Sequence, residues 1–600
     1  MSTAPGAFGG PGSWVYPDID YCRPVQLGKT LFAPVSGSDC VAAFHTDTGA
    51  LRWRFYASGA VRRPPLALGL GAGSSGAAPA GGAEVLIFGS DDGWLYCLNA
   101  ADGTVRWKFR GAPNNRKAMG FGRLSSVWPV WASPVASGGK IYFAAGYLPP
   151  FGLYAYCLDA ASGAVLWAND GRITDLWNTS ALGPLAVSFD GSRLFGTVEG
   201  AAVPWMLDAA SGEYLGRMGL GHRYPGMGRS GFRGWYVDGR GTPYRLRGAD
   251  GYEAEPDFIT AGSQTITAAN VTALGVSSTV ASLLAGDGKL FVTTAEGGLY
   301  CFAGTGAKPA LLPNEPVPPP GAADAWTAAA KAMLSREDLK QGLALVWGAG
   351  SGRLAEELAR QSALMVVVVD PDPKKLQALR AKADGAGLPA ARLSTLEGNP
   401  LDFGFAPYQA ALVTSEDLHT AGVASGQKMV EKMYACTRPF GGEIWLPTSD
   451  AQDASIAGFA AASKRMPLSA VARQKVPGGP GDGFTQLKRT GFPEEKAWMK
   501  PPFGVLWTHH PFAGRWGAVS YNGEATTECL PLVPVSYRGK VASIYHHSAQ
   551  MEKTGSGSHA WVAASYVKGM TEITIPLAQP AVALKTAAAP KVDGNLTDEC

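Results

Sequence analysis

The strongest constraint on the fold is a unit that recurs through the first half of the chain. It is a short apolar strand, then Asn/Asp-Ala-Ala-Asp/Ser-Gly, then in the clearest copies a Trp four residues after the Gly. The best copies are YCLNAADGTVRW (Tyr96 to Trp107) and YCLDAASGAVLW (Tyr156 to Trp167). AAFHTDTGALRW ends at Trp53, WMLDAASGEYLG has lost its Trp, and YRLRGADG and YCFAGTG are degenerate copies ending at Gly251 and Gly306. The turn glycines Gly49, Gly103, Gly163, Gly212, Gly251 and Gly306 are therefore 54, 60, 49, 39 and 55 residues apart. A period near 40 to 60 residues with strand-turn-strand content builds propeller blades rather than a helical solenoid. Gly supplies the positive φ of the tight turn, and the Trp on the following strand is placed to pack between neighbouring blades. Trp53, Trp107 and Trp167 are read in that way rather than as a ligand-stacking cage.

Composition agrees. Of 600 residues, 78 are Gly, 43 Pro and 17 Trp, while only 17% are charged, which suits many short strands and turns better than a helical bundle or a disordered chain. The net charge of +3, with no long run of either sign, gives no electrostatic footprint for nucleic acid. Cys22, Cys40, Cys97, Cys157, Cys301, Cys436, Cys529 and Cys600 contain no C-x-x-C, which disfavours zinc ribbons, thioredoxin-type sites and covalent haem. No apolar stretch reaches the roughly 18 residues of a membrane span. The start, MSTAPGAFGGPGSW, has neither a basic nor an apolar signal region. The chain as written is thus expected to be cytoplasmic, and an upstream signal segment would make it periplasmic or exported.

With its A-x-D-x-x-T/S-G-x-x-x-W phrases, the chain resembles the PQQ-like (quinoprotein alcohol-dehydrogenase-like) β-propellers over about residues 14 to 306. That resemblance implies a propeller of seven or eight blades. It does not imply the quinone, because catalytic members are known for a vicinal Cys-Cys disulfide and no adjacent Cys pair occurs here. Many relatives are scaffolds such as outer-membrane assembly factors. PQQ is accordingly not expected as a cofactor.

After Gly306 the pattern changes. KPALLPNEPVPPPGAADAW reads as a semi-rigid spacer, and then strands and helices alternate: LALVW (Leu343 to Trp347), GAGSG, the helix RLAEELARQ, MVVVVD ending at Asp370, and further units to GGEIWLP. Continuous apolar strands alternating with helices predict a parallel, doubly wound sheet. The loop Gly348-Ala-Gly350-Ser-Gly352 stands between strand and helix, where glycines allow close backbone approach to a ligand and the helix end offers unpaired N–H groups. A third glycine of G-x-G-x-x-G would fall at Arg353, so the spacing is not that of a dinucleotide fingerprint. Over about Leu343 to Pro447 the pattern resembles the class I S-adenosylmethionine-dependent methyltransferases instead. The resemblance implies that Gly348, Gly350 and Gly352 hold the cofactor, that Asp370 accepts the ribose hydroxyls, and that Asn399 lies near the adenine, where the family usually has an acidic residue and Asp402 is displaced by three. APYQ (Ala406 to Gln409), which invites comparison with the N-P-P-Y of amino-methyltransferases, precedes the fourth strand and reads as a turn. No catalytic residue is assigned.

The whole resembles bacterial, planctomycete-type multidomain proteins in which a PQQ-like propeller carries an inserted methyltransferase-like domain. The expected boundaries are propeller blades over 1–310, the Pro-rich linker over 311–325, the Rossmann-like domain over 326–470, and a return segment over 471–578 that completes the propeller. Residues 579–600 resemble the start of a family-9-like carbohydrate-binding module. His509, His510, His546, His547 and His559 raise a metal site, but adjacent histidines on a strand point to opposite faces, so surface positions are the preferred reading and no metal ligand is assigned. G-x-S-x-G, Walker and H-E-x-x-H motifs are absent.

Three functions remain open. The first is a non-catalytic binding or scaffold protein whose Rossmann domain binds S-adenosylmethionine and whose propeller engages a protein or a small-molecule or carbohydrate ligand. The second is a methyltransferase whose propeller presents the substrate. The third is a quinoprotein oxidoreductase. S-adenosylmethionine is a cytoplasmic metabolite, so an exported copy would carry the Rossmann domain as a structural element.

Overall fold

The computed structural model describes most of residues 23–490 and four short strands beyond them, the longer stretches outside being 1–22, 71–81, 171–184, 218–234, 491–535, 547–561 and 565–600. It divides into two compact units, one of 1–115 with 125–316 and one of 116–124 with 317–600.

The first unit is a propeller-type domain. Four-stranded antiparallel sheets occupy 25–56, 66–110, 135–170 and 185–217; three-stranded sheets lie at 235–253 and 280–302, and a two-stranded ladder at 258–267. Every sheet follows chain order, as hairpin-linked strands do. The second strands are buried on both faces, Val85 to Phe88 completely, whereas the fourth strand Leu51–Tyr56 alternates toward solvent.

The repeated turn is the same object in each clear blade. Gly49, Gly103, Gly163 and Gly212 have φ of 69°, 73°, 72° and 75°, a region that favours glycine. The blades then lock pairwise. Trp53, Trp107 and Trp167 donate their indole N–H to the carbonyls of Ala100, Ala160 and Ala209 at 3.1, 3.2 and 3.0 Å. A Cβ added at Gly103, Gly163 or Gly212 would lie 2.7, 2.7 or 2.4 Å from the same three rings. Each Trp therefore packs on the turn of the next blade.

Gly49 has no earlier signature Trp to receive. Its turn is covered by Leu312, whose Cδ1 lies 2.4 Å from where a Cβ would be. Beside it, Lys29 and Lys289 reach Asp287 at 2.9 and 2.8 Å, Lys289 reaches Asp47 at 2.8 Å, and Thr46 donates to Asp287 at 2.6 Å. Bonds from Lys289, Thr46 and Lys29 hold the Asp287 carboxyl well below the ordinary range. The sheet at 280–302 thus meets the first blade through these bonds.

In the second unit, β1 (Leu343–Trp347), β2 (Met365–Asp370), β3 (Leu393–Glu397), β4 (Ala410–Thr414), β5 (Glu443–Pro447), β6 (Ser469–Gln474) and β7 (Phe484–Arg489) form one sheet in the order β3-β2-β1-β4-β5-β7-β6. The first five are parallel; β7 runs antiparallel to β5 and β6. Alternate residues point to opposite faces. Leu345, Trp347, Val367 and Val369 join a core with Met429, Met433 and Tyr434 of α4 (Gln427–Cys436). Val346, Val366 and Val368 join one with Leu354 and Leu358 of α2 (Arg353–Gln361) and Leu376 of α3 (Pro373–Gly385). Helix α1 (Ala325–Met333) starts at a capping box in which Asp324 accepts the Thr327 N–H at 2.9 Å, and α5 (Asp450–Ala462) is capped by Ser449.

Two boundaries differ from the sequence reading. The α/β domain does not end at 470, because β6 and β7 complete its sheet; the Gly/Pro-rich 475–483 is the loop of an edge hairpin. Residues 116–124 do not belong with the blades. The strand Arg116–Gly120 pairs in parallel with Gly404–Phe405, and Leu124 enters the core of the α/β unit. APYQ, His509, His510, His547, His559 and residues 579–600 lie outside the described residues, as does nearly all of 491–578. His546 falls in the strand Ile544–His546, which pairs with Val562–Ala564.

Candidate functional site

In an open parallel sheet, ligands bind beyond the carboxyl ends of the strands where the connections diverge. Here β1 leads through α2 to β2 on one side, and β4 leads through α4 to β5 on the other, so the crevice lies beyond β1 and β4. The glycine loop opens directly into that position.

The loop is stitched to the end of β2. Gly348 N–H donates to the Val369 carbonyl at 2.8 Å, and Ala349 N–H to Asp370 Oδ2 at 2.8 Å. The other carboxylate oxygen of Asp370 accepts the Asp372 N–H at 2.8 Å. Asp370 is fully buried, yet a carboxylate offers about four lone-pair positions, so the two bonds it accepts among the described residues do not exhaust it. Gly348, Gly350 and Gly352 all have positive φ, at 84°, 51° and 77°. Gly352 packs under α3, a Cβ there lying 2.6 Å from Leu379 Cδ1.

Sequence reading missed Glu416, two residues beyond β4. Its carboxylate accepts the main-chain N–H groups of Ser351, Gly352 and Leu354, the last two at 2.9 Å each, and the Ser351 hydroxyl at 2.9 Å. It explains Gly350 as well, because a Cβ there would fall 2.1 Å from Glu416 Oε2. The signal was present in QAALVTSED, an acidic residue just past a buried strand, but only the sheet order brings it to the loop. Ser415 adds a second tie, its hydroxyl donating to the Trp347 carbonyl at 2.6 Å. The indole N–H of Trp347, buried at the end of β1, finds no acceptor among the described residues.

Arg353, the basic residue after the loop, is fully engaged. It bonds Asp324 at 2.8 Å, Glu356 at 2.8 Å and Glu357 at 2.6 Å, and its guanidinium holds the Asp324 carboxyl down at about 2. The structure therefore brings Gly348, Gly350, Gly352 and Asp370 together. Asn399 stands at the neighbouring end of β3: Gly398 N–H donates to the Asp370 carbonyl at 3.0 Å, and Asn399 Oδ1 accepts the Leu401 N–H at 3.0 Å. Its side-chain carbonyl shapes a turn, which leaves its amide N–H groups as the part available to a ligand.

These residues fit an adenosyl cofactor by their donor and acceptor set: a buried carboxylate with spare acceptor positions for a diol, and a glycine loop with Gly350 N–H unspent among the described residues.

Comparisons with known proteins agree with the two-part architecture. A family model described as a methyltransferase domain matches residues 344–441, and one described as outer membrane protein assembly factor BamB matches residues 37–196. Among solved structures, the chain is similar to BamB from Moraxella catarrhalis, at 16% identity over 47% of this chain and 71% of that one, with a TM-score of 0.25. It is similar to a putative S-adenosyl-L-methionine-dependent methyltransferase from Methanococcus maripaludis, at 15% identity over 28% of this chain and 87% of that one, with a TM-score of 0.22. It is also similar to quinohemoprotein alcohol dehydrogenase from Comamonas testosteroni, at 15% identity over 47% of this chain and 43% of that one, with a TM-score of 0.25. No curated protein matches. With those two family models matched, the chain carries a PQQ-like propeller-type domain and a methyltransferase-type α/β domain.

Proposed function

We propose that this is a binding and scaffold protein: the α/β domain holds S-adenosylmethionine in the crevice beyond β1 and β4, and the propeller offers a surface to a protein or small-molecule partner. The observation that carries the reading is the glycine loop joined through Ala349 N–H to a buried Asp370 with acceptor capacity to spare. Gly348, Gly350 and Gly352 would line the cofactor, Asp370 would take its ribose hydroxyls, and Asn399 would stand beside its base. When bound, this cofactor supplies an electrophilic methyl group on a sulfonium. The two carboxylates that meet the loop, Asp370 and Glu416, both accept main-chain N–H groups, which favours holding the loop over moving a proton. A compartment that contains the cofactor follows from the reading.

The test is calorimetric titration of the full chain with S-adenosylmethionine and S-adenosylhomocysteine. Micromolar binding of either is expected, weakened at least tenfold by Asp370→Asn, the fold-change of one hydrogen bond to a charged group. No heat from the wild-type chain overturns the reading. The methyltransferase alternative is favoured by the matched family model over 344–441; formation of S-adenosylhomocysteine in the presence of a cell extract would replace scaffolding with catalysis.

A further inference from the structure

Glu416 gives the loop a property that the binding reading does not contain. Convergent main-chain N–H groups at the start of a helix attract anions, and glycine loops hold phosphates through such donors. In this chain the loop's donors other than the Gly350 N–H are already taken. The N–H groups of Ser351, Gly352 and Leu354 and the Ser351 hydroxyl all end on one carboxylate, and Glu416 is itself only 7% exposed. Asp370 takes the Ala349 N–H at the other end of the loop, and Arg353 is spent on three carboxylates. A phosphate brought here would meet two fixed negative charges in a partly dry crevice, where like-charge repulsion is screened far less than in water.

We propose that Glu416 is a specificity-determining residue: it fills the loop's anion position from within the chain, and thereby restricts the site to nucleosides that bring no phosphate and tolerate, or carry a charge opposite to, its carboxylate. The inference rests on the adenosyl-cofactor reading for the identity of the ligand, but the exclusion of phosphate stands on Glu416 alone. Glu416 acts by occupying the loop, so its removal changes which ligands bind as well as how tightly.

The test titrates the full chain, as wild type, Glu416→Gln and Glu416→Ala, with S-adenosylmethionine, ADP and inorganic pyrophosphate. The wild-type chain is expected to ignore ADP and pyrophosphate. Glu416→Ala gains affinity for both by roughly tenfold or more, the fold-change of one charge-assisted hydrogen bond. Glu416→Gln, which keeps the volume and one acceptor but drops the charge, falls between. Wild-type chain that binds pyrophosphate at micromolar concentration overturns the proposal without any variant having to fold. Folded variants, checked by circular dichroism, whose phosphate affinity is unchanged overturn it too; should Glu416→Ala fail to fold, Glu416→Gln decides. If S-adenosylmethionine does not bind the wild type but pyrophosphate binding appears in the variants, the cofactor reading fails and the role of Glu416 stands. The reverse pattern sinks the role of Glu416 alone.

Discussion

The docking of one blade's Trp on the next blade's turn makes a quantitative prediction at Trp107 and Gly163. Truncating a buried Trp to Ala costs about 3–5 kcal/mol. Trp107 is half-buried and loses its bond to Ala160, so Trp107→Ala is expected to cost about 2–3 kcal/mol. At Gly163 a side chain must adopt φ of 72°, worth about 1–2 kcal/mol for an L-residue. It must also displace a ring that would lie 2.7 Å from the new Cβ, which adds about 1 kcal/mol of overpacking. That last part exists only while the ring is there. Gly163→Ala should therefore cost about 1 kcal/mol less in the Trp107→Ala background than in the wild type. Equilibrium urea unfolding of the full chain, followed by circular dichroism and fitted with separate transitions for its two units, reads all four corners of the cycle. Costs that add within about 0.5 kcal/mol would mean that the ring does not lock the blades.

Two further outcomes are open to measurement. The Arg353 guanidinium keeps the Asp324 carboxyl at about 2, below its ordinary 3.8, so the ion pair contributes stability above pH 4 that is lost as pH falls through 2. Unfolding curves of wild type and Asp324→Asn should converge over that window, and a difference that persists at pH 2 would remove the pair as its cause. Burial pushes the thiols of Cys97 and Cys436 up to about 12 and that of Cys157 to about 11. All three should resist alkylation in the native chain at pH 8, as mapped by peptide mass spectrometry, while the exposed Cys301 reacts; modification of Cys97 ahead of Cys301 would contradict the packing.

The blades were legible because each is a local object: strand, turn and Trp lie within about a dozen residues, and the turn glycine announces its own φ. The α/β strands were legible for the same reason, since Leu343–Trp347 and Met365–Asp370 are continuous apolar runs with glycines or a capped helix behind them. What escaped was long-range. Glu416 meets the glycine loop 62 to 65 residues upstream, and nothing in SED marks it as a helix cap. Ser469–Gln474 and Phe484–Arg489 form an edge hairpin of mixed polarity, with only one strand buried, and such strands carry a weak periodic signal. Residues 116–124 are joined to the α/β unit chiefly by a two-residue parallel ladder, too short for any pattern. Leu312 sits in a stretch whose prolines describe a spacer while its own side chain covers a blade turn.

The clasp between Lys29 and Asp287 also sets a clock. Its partners are 258 residues apart, and at synthesis rates of about 5–20 residues per second the first blade leaves the ribosome roughly 13 to 50 seconds before Asp287 does. During that interval the Gly49 turn is bare, and Lys29 and Thr46 wait for the carboxylate that they bond in the folded chain. Surface left uncovered on a nascent chain invites association with another. The early part of this propeller is therefore where slow translation, or a chaperone that covers exposed surface, would most change the yield of folded protein.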